Sequence, residues 1–184
     1  MKKQNEKGYT LVELLAVIFI LVAVGTIISS ILTSVLRSSN KSTNTEIVRT
    51  NGNNAISQMS KMITYAEKFE GVKVNSSDQF QTDCTSLPAS TQYHFLQIKS
   101  FDGGVTTFAC DQSKIASQSS QTVYLADPSL IASCYFECSQ ESAAAPAKID
   151  IFLDLSARST AVFAESQATM HFETSVVTRN NTDR

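Results

Sequence analysis

Thirteen of the eighteen residues from Leu11 to Ile28 are Leu, Ile, Val or Phe, and the remaining five do not recur often enough to give the segment a polar face. Such a run predicts a helix that is apolar all round, the length of a membrane span. From about Ser38 the chain turns polar, and apolar residues then return at Val48, Ala55, Ile56, Met59, Met62, Ile63, Ala66 and Phe69. That three-and-four spacing predicts a helix with a single apolar stripe. Together the two halves read as one helix to residue 70, about 90 Å long if unbroken, with a weak point at Asn51-Gly52-Asn53-Asn54, where glycine costs about 1 kcal/mol relative to alanine. No proline interrupts the chain before Pro88.

After Gly71 the pattern is that of strands and turns. Tyr93 to Phe101 and Val105 to Cys110 flank Asp102-Gly103-Gly104, a hairpin signal, and a short strand is expected over Thr122 to Ala126, stopped by Asp127-Pro128. Ala143 to Pro146 reads as a loop. Ile149, Ile151, Leu153 and Leu155 alternate with Asp150, Phe152 and Asp154, and this strand is expected to pair antiparallel with Ala168 to Thr178, beneath the helix.

One residue of the apolar segment is out of keeping with a plain anchor. The thirteen apolar residues contribute about −6 kcal/mol to insertion against roughly +3 for Glu13, so the helix inserts in spite of its carboxylate. A charge retained there is a functional hypothesis that needs a partner. The residues before it read Lys7, Gly8, Tyr9, Thr10, Leu11, Val12, Glu13, with Lys2 and Lys3 upstream. This arrangement resembles the class III signal peptide of type IV pilins and type II secretion pseudopilins: a basic leader ending in glycine, then an aromatic, Thr, two apolar residues and Glu. Tyr9 stands where that family usually has Phe. The resemblance implies cleavage between Gly8 and Tyr9 by a prepilin peptidase, which methylates the new amino terminus. Glycine lets the backbone enter a protease site without a Cβ clash, and Tyr9 and Glu13, four apart, share one helix face. The Glu13 carboxylate of one chain is then expected to neutralise the amino terminus of its neighbour in a filament.

Two other readings of the N-terminus share the basic residues Lys2, Lys3 and Lys7. A conventional secretory signal would be cut near Ala23-Val24-Gly25, and an uncleaved anchor would keep its lysines inside. All three put the C-terminal part outside the cytoplasm.

The chain has 184 residues and a formal charge of −2. Removing eight residues leaves 176, and takes three lysines and one glutamate from the 15 basic and 17 acidic residues, leaving 12 against 16 and a charge of −4. The basic residues are scattered, so no nucleic-acid surface is evident. Cys84, Cys110, Cys134 and Cys138 form an even set in the part expected to face outside, which reads as a disulfide framework of three possible connectivities; Cys84 with Cys110 and Cys134 with Cys138 is the favoured one. A zinc tetrathiolate is disfavoured by the missing paired Cys-x-x-Cys spacing.

Little points to catalysis. His94 and His171 each fall in an expected strand, His171 on the face of Glu173. Asp150 and Asp154 share an outward strand face, and no phosphate loop, nucleophile elbow or paired-histidine metal motif occurs. No cofactor and no metal site is expected. The closing Phe172 to Asn180 resembles the last strand of minor pilins and pseudopilins of the J or W type.

The resemblance therefore implies an α+β fold in four parts: a leader over 1–8, a transmembrane or filament-core helix over 9–36, an amphipathic helix over 37–70 and an extracytoplasmic β-rich domain over 71–184. It implies a structural subunit, not an enzyme. Its partners would be the prepilin peptidase and methyltransferase, other pilin subunits and the cytoplasmic membrane. The precursor would be a single-pass inner-membrane protein that ends in a surface pilus or periplasmic pseudopilus. The alternative is an exported binding or hydrolase domain on a membrane anchor, whose mark would be a pocket lined by His94 or His171 with a carboxylate in reach.

Overall fold

The structure, a computed structural model, describes residues 10–85, 91–142, 145–157 and 167–179. The chain divides into two compact units, Met1–Asn40 and Lys41–Arg184. Among the described residues one helix, α1 (Leu11–Thr64), is followed by eight strands: β1 (Lys68–Lys73), β2 (Phe95–Lys99), β3 (Val105–Asp111), β4 (Lys114–Gln118), β5 (Thr122–Tyr124), β6 (Leu130–Ser139), β7 (Lys148–Ala157) and β8 (Thr169–Val177). The strands form two antiparallel sheets, β1-β2-β3-β4-β5 and β6-β7-β8, so the α+β class holds while the single sheet of the sequence reading becomes two.

Within the second unit α1 buries Val48, Gly52, Ala55, Met59 and Ile63, which is the apolar stripe. Ile149, Ile151, Leu153 and Leu155 of β7 are fully buried in the same core, with Phe69, Leu96, Ile98, Phe108, Ile115 and Phe136. The sheets are joined by an antiparallel bridge between Tyr93 and Phe136 and by the Ala132 N–H donating to the Ser113 carbonyl at 2.9 Å.

The expected hairpins are present. β2 and β3 pair in continuous register from Phe95 opposite Ala109 to Lys99 opposite Val105, and Gly103 at the turn has φ of 80°, a conformation glycine adopts without strain. β7 pairs with β8 from Lys148 opposite Val177 to Ser156 opposite Thr169, beside the helix stripe as expected. The short strand at Thr122 is shorter than expected, ending at Tyr124.

Four further expectations are corrected. The helix ends at Thr64 and not at residue 70, because Phe69 and Val72 are drawn into β1, where they face Ile98 and Leu96 of β2; the same spacing that fits a helical stripe also serves a bulged strand. Glu70 is the unpaired residue of that bulge, and Gly71 after it has φ of 137°, where a Cβ would meet the Gln81 carbonyl oxygen at 2.6 Å. The helix also does not break at Asn51-Gly52-Asn53-Asn54. The Asn51 side chain donates to the Ile47 carbonyl at 2.9 Å and accepts the Asp127 N–H at 3.0 Å, while Gly52 is the notch that receives the Phe172 ring of β8, since a Cβ at that position would overlap the ring.

The third correction concerns the cysteines. The bridges are Cys84–Cys138 and Cys110–Cys134, with Cα separations of 5.8 and 5.4 Å, and no cysteine is free. Cys134 and Cys138 cannot pair because both lie on β6, whose burial alternates over ten residues. Four residues along an extended strand separate them by about 13 Å, well beyond the about 7 Å that a disulfide spans. Strand β6, absent from the sequence reading, is the hub: one bridge ties it to β3 of the other sheet, the other to the segment between β1 and β2. Finally, His94 precedes β2 and is not within it.

Gly52→Ala tests the notch by the sign of its effect. In an exposed helix this change stabilises by about 1 kcal/mol; here overpacking against Phe172 is expected to destabilise by roughly 1–3 kcal/mol in denaturant unfolding, with most of the loss relieved by adding Phe172→Leu.

Candidate functional site: the apolar N-terminal helix

The first turn of α1 is organised by Thr10. Its carbonyl accepts the N–H groups of Glu13 and Leu14 at 3.1 and 3.2 Å, and its Oγ1 accepts the Glu13 N–H at 3.3 Å. Thr10-Leu11-Val12-Glu13 thus has the spacing of a capping box, which places an acidic side chain in the first turn, where the helix dipole favours negative charge. The sequence reading passed over the Thr10 cap, although the Thr-x-x-Glu spacing signals it.

All residues from Thr10 to Thr43 are exposed. Leu11, Val12 and Phe19 are each at least three-quarters exposed, and Leu14, Leu15, Ile18, Leu21, Ile27, Ile31 and Leu36 are each about half exposed or more. The hydroxyl groups of Thr26 and Thr33 are satisfied inside the helix, donating to the carbonyls of Ala23 and Ser29 at 2.8 Å, so they interrupt the apolar surface less than their polarity suggests. The helix is long and apolar enough to cross a membrane. An exposed apolar surface of this extent needs lipid or other helices to cover it. Among the described residues no ion pair meets the Glu13 carboxylate. Lys2, Lys3, Lys7, Gly8 and Tyr9 lie outside the described residues, as does Asn180.

The other candidates are dispersed over the second unit. His171 Nδ1 lies 2.8 Å from Asp154 Oδ1 and its Nε2 3.9 Å from Glu173 Oε2, on an exposed sheet face. On that face Tyr135 and Phe152 stack at 4.6 Å; burial, and then the charges of Glu137, Asp154 and Glu173, push the Tyr135 hydroxyl pKa up. Asp150 is paired with Lys148 at 2.9 Å. His94 Nδ1 lies 3.3 Å from the Cys134 carbonyl, beside an open hollow of about 350 Å³ whose lining includes Ser76 and Asp111. Among the described residues no hydrogen bond links Ser76, His94 and Asp111 to one another, and Asp111 Oδ1 accepts the Gln112 N–H instead at 2.8 Å. A nucleophilic mechanism needs nucleophile, base and orienting acid within hydrogen-bond reach. Among the described residues no group of three or more His, Cys, Asp or Glu side chains is arranged to hold a metal.

Residues 3–36 match the family described as the prokaryotic N-terminal methylation motif. No curated protein and no solved structure shows a significant match to the chain. The family match runs through the apolar half of α1 and includes Gly8, Tyr9 and Glu13. Proteins with this motif are generally structural subunits, and the helix-plus-antiparallel-sheet arrangement of this chain is consistent with the pilin fold. Residues 3–36 of this chain therefore carry the prokaryotic N-terminal methylation motif, which supports reading them as the class III signal segment of a type IV pilin-like or pseudopilin precursor.

Proposed function

We propose that the chain is the precursor of a structural minor pilin or pseudopilin subunit, inserted with Lys2, Lys3 and Lys7 inside, cut between Gly8 and Tyr9, methylated at Tyr9 and drawn from the bilayer into a filament. The observation that carries this reading is the joining of the methylation motif to a helix whose first half is apolar on every side and whose second half buries one stripe in a β-rich unit. A plain anchor needs only the apolar half. In the membrane that half is covered by lipid, and in a filament by the equivalent helices of neighbours, so extraction exchanges one apolar environment for another and dispersion between packed side chains decides the balance.

Glu13 and the methylated amino terminus supply the polar term: two charges, each costly in apolar surroundings, that meet on assembly. The two disulfides suit an extracytoplasmic β-rich unit. The division at residue 8, at 36 and at the end of α1 follows the same logic, and the Phe172 to Asn180 segment favours a minor subunit of the J or W type. The partners are the prepilin peptidase and methyltransferase, the cytoplasmic membrane and other pilin subunits. The final location is a surface pilus or a periplasmic pseudopilus.

Processing is tested by expressing the full chain in membranes with and without a prepilin peptidase. The wild type is expected to lose its first eight residues only when the peptidase is present, and Gly8→Val to stay full length because a branched Cβ blocks the extended backbone at the cut. Equal cleavage of the two chains, or shortening of the wild type without the peptidase, would refute the processing step.

A further inference from the structure

The two sheets end in edges of different character. At one edge of the five-stranded sheet β1 is bulged between Phe69 and Gly71 and bridged to Gln81. The other edge, β5, has three residues. In the three-stranded sheet the β6 side is joined to the other sheet, which leaves β8. This edge is nine residues long, holds register with β7 without a bulge, and contains neither proline nor lysine. It lacks nearly every device by which natural edges resist pairing.

The hydrogen-bond phase of β8 is set at its two ends. The Thr178 N–H donates to the Ala147 carbonyl, and the Ala157 N–H to the Ala168 carbonyl, so the even-numbered residues from 168 to 178 turn their backbone groups toward β7. The backbone groups of Thr169, His171, Glu173, Ser175 and Val177 therefore point away from the sheet. Among the described residues no hydrogen bond meets them. The side chains of these five lie on the exposed face, with Asp154 beside His171 at 2.8 Å, while Met170 and Phe172 lie on the face that packs on the core.

We propose that the β8 edge is a strand-addition site for an extended segment of a different polypeptide, alternating apolar and basic residues. The row of five donors and five acceptors supplies the main-chain recognition. Apolar side chains of the added strand would extend the Met170 and Phe172 face, and its basic side chains would lie opposite Glu173 and near Asp154 on the outer face. A second copy of this chain is disfavoured by the same geometry. Antiparallel pairing of two β8 edges over their full length is centred on Glu173 and sets the two Glu173 carboxylates directly opposite, where like charges destabilise; a lysine or arginine there reverses the sign.

The test uses the full chain in detergent micelles and the capped peptide Lys-Val-Lys-Ile-Lys-Val-Lys, with amide hydrogen exchange read by NMR. In the free protein the amides of Thr169, His171, Glu173, Ser175 and Val177 are expected to exchange fast and those of Met170, Phe172, Thr174 and Val176 slowly. The peptide is expected to slow the first set alone. Glu173→Lys should weaken its binding by roughly tenfold and favour the Glu-Val-Glu-Ile-Glu-Val-Glu peptide instead. Ser175→Pro, which removes an outward N–H and leaves the β7 ladder intact, should abolish strand addition while Phe172 and Thr174 stay protected. If Ser175→Pro fails to fold, the Glu173→Lys exchange of preference decides alone. Slow exchange of the five outward amides in the free protein, concentration-dependent protection without peptide, as a second copy would give, or peptide binding unchanged by Glu173→Lys would each overturn the proposal.

Discussion

Reduction of both disulfides is expected to lower the melting temperature of the β-rich unit by roughly 20 °C and to abolish its near-ultraviolet dichroism at 37 °C. The bridges close loops with sequence separations of 54 and 24 residues, each worth about 3.5–4 kcal/mol in the chain-entropy account. Because the 110–134 loop lies inside the 84–138 loop, their sum is about 7 kcal/mol, comparable to the whole stability of an ordinary domain. Position adds to length. Both bridges end on β6, whose removal would separate the two sheets and expose Phe136 and Ile151, each fully buried. The paired replacement Cys110→Ser with Cys134→Ser should cost about as much as Cys84→Ser with Cys138→Ser, and peptide mapping without reductant should recover Cys84 linked to Cys138 and Cys110 linked to Cys134. A reduced protein that melts within a few degrees of the oxidised one would show that the sheets hold together without these links.

The second large effect is expected at Glu13. Glu13→Ala should leave cleavage after Gly8 largely intact and abolish incorporation into fibres. On the proposed assembly, removing the carboxylate leaves a buried amino terminus without its counter-charge, which costs about 3–5 kcal/mol per subunit, a hundredfold or more in each addition step. The capping-box spacing of Thr10 and Glu13 offers a competing cause, and Glu13→Gln separates the two. Glutamine serves a capping box as well as glutamate does but carries no charge. Fibre loss in both variants assigns the effect to charge; normal fibres from Glu13→Gln would assign it to the cap, and normal fibres from Glu13→Ala would remove Glu13 from assembly altogether.

The parts of the fold legible in the sequence were those fixed by local rules. The uninterrupted apolar run, the Asp102-Gly103-Gly104 turn and the alternation of Ile149 to Leu155 each reflect a periodicity or a backbone demand confined to a few neighbouring residues. What escaped depended on contacts distant along the chain. Gly52 looks like a helix breaker until Phe172 is placed against it. Phe69 satisfies helical and strand spacing equally, and only Ile98 across the sheet decides between them. β6 was hidden because its inward positions include Ala132, Cys134 and Cys138, which read as a cysteine loop and not as an alternating strand; with the strand missing, the cysteine partners could not be found. At the N-terminus the distribution is reversed: Glu13 and the methylation motif are plain in the sequence, and the structure adds the Thr10 cap and the exposure of the apolar surface that follows it.

The central claim is that this chain is a processed filament subunit, and it is tested most directly by the intact mass and N-terminal sequence of the protein recovered from membranes and from sheared surface or periplasmic fibres. The account predicts a chain that begins at N-methylated Tyr9 in both fractions. A chain that begins at Met1, or one cut near Thr26, and that is absent from fibres would contradict it.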